Sequence, residues 1–156
     1  MKIKKGTLFI CVAIPLAVGG LSGYISRSGT TIFAMLEKPP LSPPGWLFPI
    51  VWTILYILMG IASYLIVTSE ADAKAVARAM TVYGAQLTVN FFWSILFFNL
   101  SLYLSSLVWL VILWILILIT ILLFGKISKM AAYLLVPYLV WVTFAGYLNA
   151  GVWLLN

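Results

Sequence analysis

Apolar residues run along this chain in five blocks separated by short polar breaks, and the breaks define the elements. The blocks cover residues 7–25, 46–67, 79–100, 104–124 and 130–155. A helix that crosses a hydrocarbon core of roughly 30 Å needs about 20 apolar residues, so each block predicts one spanning helix. The third is the most polar, with Gln86, Asn90, Ser94 and Asn99, whereas the fourth is almost purely Leu, Ile and Val apart from Trp109 and Trp114. The fourth is therefore expected to face lipid over much of its surface. The first block follows Lys2, Lys4 and Lys5 and contains Pro15, Gly19, Gly20 and Gly23. It is long for the apolar region of a signal peptide and no A-x-A site follows, so it predicts a retained span. Gly19 and Gly23, at i and i+4, allow a close approach to a neighbouring helix, and membrane helices equally tolerate Gly and Pro without one.

The longest break, residues 26–45, is the stiffest. Pro39, Pro40, Pro43 and Pro44 each fix φ near −65° and push the preceding residue out of the α region, which favours extended backbone over a flexible linker. Gly45 then frees the backbone, and Trp46 begins the second span as an aromatic belt residue would. Pro49 falls in the first turn of that helix, where a missing N–H costs little.

Composition raises this pattern to a class. The chain has 156 residues, of which 65% are hydrophobic and 8% charged, with a mean hydropathy of +1.18. Soluble domains are about 45–50% apolar. The fold class is thus all-α, a single integral membrane bundle of five transmembrane helices, with no residues left over for a soluble domain. The net charge of +6 comes from basic residues scattered along the breaks rather than gathered in a stripe, which marks topology and not nucleic-acid binding. Alternate breaks carry Lys2, Lys4, Lys5, Lys74, Arg78, Lys126 and Lys129 on one side against Arg27 and Lys38 on the other. Positive-inside counting then predicts a cytoplasmic N-terminus, with the Pro-rich loop and the C-terminus outside. The one cysteine, Cys11, lies inside an apolar block and excludes an internal disulfide.

Charge also narrows the chemistry. Glu37, Glu70 and Asp72 all fall in predicted loops, there is no histidine, and no Lys or Arg lies deep in a span. Proton-coupled transport, a zinc or haem-iron site of the usual ligands, and hydrolysis by an acid–base pair all lack their residues. Aromatic rings and amides remain. At spacings of three, four, seven or eight residues, the second span aligns Trp52, Tyr56 and Gly60, and the third aligns Gln86, Asn90, Trp93 and Phe97. The fifth aligns Trp141, Ala145, Leu148 and Asn149. Facing one another, these stripes would wall a pocket suited to a flat, largely apolar ligand. Spacing alone favours the plainer alternative, in which the amides join helices and the tryptophans pack or anchor.

Three longer segments alter that balance. PLSPPGWLFPIVWTILYILMGIASYL (Pro40 to Leu65), QLTVNFFWSILFF (Gln86 to Phe98) and PYLVWVTFAGYLN (Pro137 to Asn149) resemble the signature segments of the tryptophan-rich sensory protein and translocator protein family. The resemblance extends over the whole chain. It implies a five-helix bundle, often a homodimer, whose interior pocket binds porphyrins such as protoporphyrin IX beneath a lid formed by the first loop. No intrinsic cofactor or metal is implied. Carried over by motif, the ligand-binding residues are Trp52, Asn90, Trp93, Trp141, Ala145 and Leu148, with Pro43, Pro44 and Trp46 in the lid. Trp52 and Trp141 match the tryptophans implicated in light-dependent porphyrin breakdown and are the catalytic candidates if this chain has that activity.

Two departures from the family pattern stand out. Leu41 occupies a position where many relatives carry tryptophan, and no basic residue follows Lys129, so the Tyr and Arg sterol motif of the animal proteins is missing from the fifth span. A similar pattern at Leu21, Tyr24 and Arg27 is a weak match, and sterol is not expected as the natural ligand. The expected partners are therefore porphyrin, membrane lipid and a second copy of the chain, in a bacterial cell membrane. The expected function is tetrapyrrole binding with a sensory role in tetrapyrrole or oxidative-stress handling. A porphyrin-degrading enzyme and a passive carrier of small apolar ligands are the alternatives.

Overall fold

The computed structural model describes residues 2–156, and its order is all-helical. Helix α1 spans Lys5–Ser26, α2 Gly29–Ala34, α3 Leu47–Val67, α4 Ala73–Ser94, α5 Tyr103–Ile127 and α6 Lys129–Leu155. Five of these, counting α4 together with the turn that extends it, are long and apolar enough to cross a membrane. They close a ring in which α1 packs on α3, α3 on α6, α6 on α5, α5 on α4, and α4 back on α1. The core of the ring holds Tyr56, Met59, Leu113, Ile117, Leu135, Tyr138 and Val142.

Three local features differ from the sequence expectation. Helix α4 begins at Ala73, which puts Lys74 and Arg78 on its first turns instead of in the loop. Asp72, a residue type favoured at helix starts, has the extended backbone of a cap there (φ −53°, ψ 136°). The far end of α4 continues as a π turn, Ile95–Asn99, in which the Leu100 amide reaches back to the Ile95 carbonyl at 3.0 Å. The stiff break also contains helix α2. Gly29 lets it lie flush on the Phe98 carbonyl of the π turn, where any Cβ would clash.

Close approach between α1 and α3 is carried by Gly19 and Gly60 together. A Cβ at Gly60 would meet the Val12 Cα at 2.5 Å and the Cys11 carbonyl at 2.7 Å, and one at Gly19 would strike the Tyr56 ring. Gly23, paired with Gly19 by spacing, faces open space. The fourth span is less featureless than its composition suggests. The Trp109 indole donates to the Val89 carbonyl at 2.7 Å and that of Trp114 to the Thr143 hydroxyl at 2.8 Å, which fastens α5 to α4 and α6. Such bonds satisfy polar groups that lipid would leave unpaired.

Candidate functional site

The inward faces of α3, α4 and α6 meet in three layers. The deepest is polar. The Tyr56 hydroxyl donates to Asn90 Oδ1 at 2.8 Å, Asn90 Nδ2 donates to the Tyr138 hydroxyl at 2.6 Å, and Tyr138 donates to Gln86 Oε1 at 2.7 Å. All four residues are buried. Sequence pattern placed Asn90 at a binding face; in this structure both ends of its amide serve this chain, which ties α3, α4 and α6 together.

Above it lies the seam between α3 and α6. Trp52 stacks on Tyr56 with ring centres 5.5 Å apart and meets Tyr138 edge-on at 6.2 Å. One turn nearer the loop, Trp141 meets Phe48 at 5.9 Å and Phe144 at 5.6 Å. The two tryptophans thus lie on opposite walls of one seam, each against a ring of the other helix. Trp141 Nε1 is buried and has no hydrogen-bond partner among the described residues. Buried donors are paired in the great majority of cases, and an orphan costs about 1–3 kcal/mol. Ala145 and Leu148 are buried further along the same helix.

The third layer is aromatic and sits under the loop. Phe33 of α2 packs against Phe48, Phe97 and Phe98 at 6.2, 5.8 and 5.6 Å. Trp93 stacks on Phe97 at 5.3 Å, and its indole donates to Asn149 Oδ1 at 3.2 Å. Asn149 also accepts from the Ser106 hydroxyl at 3.1 Å and donates to the Tyr103 carbonyl at 2.8 Å, so it joins α4, α5 and α6.

The loop residues named from sequence divide. Pro43 is half-buried, but Pro44 and Trp46 are exposed, Trp46 at 67%. The buried proline is Pro39, seated on Gly151 of α6 where a Cβ would collide with its ring. Two further residues of the site lie on the same helical stripes. Tyr138 lies three residues before Trp141 and continues its stripe, and Phe48 lies four before Trp52. Phe33 had no such signal, because it lies in a short helix whose docking depends on the π turn of α4.

Comparison with known proteins agrees along nearly the whole chain. The family model described as "TspO/MBR family" matches residues 11–154. The "Tryptophan-rich protein TspO" of Chlorobaculum tepidum is 42% identical over 151 residues, covering 96% of this chain and 96% of that protein. The protein of the same name from Archaeoglobus fulgidus is 39% identical over 156 residues, covering 100% and 99%. The "Translocator protein" of Bos taurus is 35% identical over 140 residues, covering 88% and 83%.

Proposed function

The chain belongs to the TspO/MBR family, and from that premise we propose that it is a membrane receptor for a flat, acid-bearing tetrapyrrole of the protoporphyrin IX class. The ligand would enter the seam between α3 and α6, walled by Trp52, Trp141, Ala145 and Leu148 and covered by residues 26–45. The observation that carries this reading is the orphan indole N–H of Trp141, a donor held among aromatic rings beneath the loop. A ligand carboxylate or carbonyl would satisfy it while the macrocycle displaces ring-to-ring contacts with its own faces. Asn90 acts from one layer deeper, by fixing Tyr56 and hence the Trp52 ring stacked on it. Binding would displace the ring-to-ring contacts beneath the loop, which gives a sensory protein a ligand-dependent surface. The exposed small residues of α4, Ala77, Gly84, Ala85 and Thr88, suit a homodimer contact, which cross-linking in native membranes would detect.

Tryptophan fluorescence in detergent tests the central reading. Protoporphyrin IX is expected to quench saturably, and Trp141→Phe to weaken binding roughly tenfold, the worth of one buried hydrogen bond to a charged group. The loss of an orphan donor offsets part of the volume lost, so the ligand-free variant should stay close to wild type in thermal stability. Non-saturable quenching, or equal affinity of the variant, rules the proposal out.

A second reading, light- and oxygen-dependent porphyrin breakdown, is favoured by one observation. The electron-rich Trp52 ring stacks on Tyr56 at the same seam. Illuminated protein should then bleach bound porphyrin faster than empty micelles do, and Trp52→Phe should slow it. Equal rates in micelles and protein remove this reading and leave the receptor.

A further inference from the structure

The loop that covers the seam is fastened to α6 at three points, and one of them depends on a strained residue. The Tyr147 hydroxyl donates to the Pro40 carbonyl at 2.7 Å. The Asn156 side chain grips both backbone groups of Glu37, accepting from its amide at 3.2 Å and donating to its carbonyl at 2.9 Å. Between these, Pro39 occupies the space left by the missing side chain of Gly151.

Leu41 has φ +68°, in the left-handed region, and is 85% exposed. A leucine has no packing reason to be there, and left-handed backbone is unfavourable for a residue with a bulky side chain. Its effect is on the neighbouring carbonyl. Proline followed by a residue of positive φ is the signature of a type II turn, here over Pro39–Ser42, and the Ser42 hydroxyl closes it on the Pro39 carbonyl at 2.7 Å. Relative to type I, a type II turn rotates the central peptide by about 150°. That peptide carries the Pro40 carbonyl, so the unfavourable turn is what aims the carbonyl at Tyr147.

We propose that Tyr147, Gly151 and Asn156 form a latch that sets how often the loop opens, and that Leu41 works against it by straining the closed turn. On the receptor reading above, these are positioning residues for ligand exchange: they touch the loop and not the ligand. Because these bonds join the loop to the chain's own residues and not to the ligand, weakening them should accelerate association and dissociation together and move the equilibrium affinity little.

Two readouts separate the latch from the receptor reading. The first is amide hydrogen exchange of residues 37–42 in ligand-free, full-length protein, where Glu37, Lys38, Leu41 and Ser42 carry the exchangeable amides. Tyr147→Phe should speed exchange there roughly fivefold, the population change that one net hydrogen bond represents, Asn156→Ala, which removes two, should speed it further, and both should leave the amides in the middle of α6 at the wild-type rate. Gly151→Ala should act in the same direction by unseating Pro39. Leu41→Asn should slow exchange, since asparagine tolerates left-handed backbone. The second readout is the dissociation rate of protoporphyrin IX, expected to follow the same order. Loop exchange that does not change in Tyr147→Phe and Asn156→Ala, or α6 amides that accelerate equally, overturns the latch. Altered loop exchange in a protein that never binds protoporphyrin IX upholds the latch and defeats the receptor reading. Altered loop exchange with ligand dissociation at the wild-type rate overturns the role in ligand exchange.

Discussion

At the scale of single residues, the centre of the molecule is a chain of hydrogen bonds in which each donor has a defined acceptor. Tyr138 is its hinge, because its hydroxyl accepts from Asn90 and donates to Gln86. Tyr138→Phe keeps the ring against Trp52 but strands an amide N–H and an amide carbonyl in the core. The expected loss is roughly 1–3 kcal/mol, read as a lower midpoint of thermal unfolding in detergent. An unchanged midpoint would mean that the two amides find other partners. Asn90 was visible in the sequence as a costly amide in an apolar segment, but its partners were not. Hydrogen-bond partners across 34 and 48 residues of sequence are set by which helices are neighbours, and local spacing carries no record of that.

At the scale of elements, the spans follow from apolar length alone, while their contacts depend on where side chains are missing. Gly60 lies against the α1 backbone and Gly23 faces open space, although both are glycines in apolar helices. Gly60→Ala should therefore push α1 from α3 at a cost of about 1–3 kcal/mol, as overpacking does, whereas Gly23→Ala should be neutral or slightly stabilising through helix propensity. Thermal unfolding of the two variants side by side is the check, and equal destabilisation would contradict the packing described. Helix α2 and the π turn lay outside what periodicity signals. Six residues are too few for a helical pattern to register, and a π turn is one extra residue in a helix that otherwise reads as regular.

At the scale of the whole molecule, a ring of five helices leaves one end capped by a stiff loop. Pro43 and Pro44 limit the conformations open to that loop when it leaves the bundle, so their replacement by glycine favours the open state by roughly 0.4–1 kcal/mol each. Pro43→Gly with Pro44→Gly should then raise the exchange rate of bound protoporphyrin IX roughly 4- to 30-fold, with little change in bundle stability, which stopped-flow fluorescence and thermal unfolding measure separately. A dissociation rate equal to wild type would return these prolines to a purely local role. The sequence by itself determined the class, the five spans and the stripes of Trp52, Asn90 and Trp141. It could do so because a bilayer imposes a length and a polarity on each span that are written locally along the chain. Only the tertiary structure decided that Asn90 is engaged by Tyr56 and Tyr138, that the Trp141 indole is left without a partner, and that Pro39 rather than Pro44 is buried against α6. Those outcomes depend on which helices become neighbours and how closely their backbones approach, and that geometry exists only once the ring has closed.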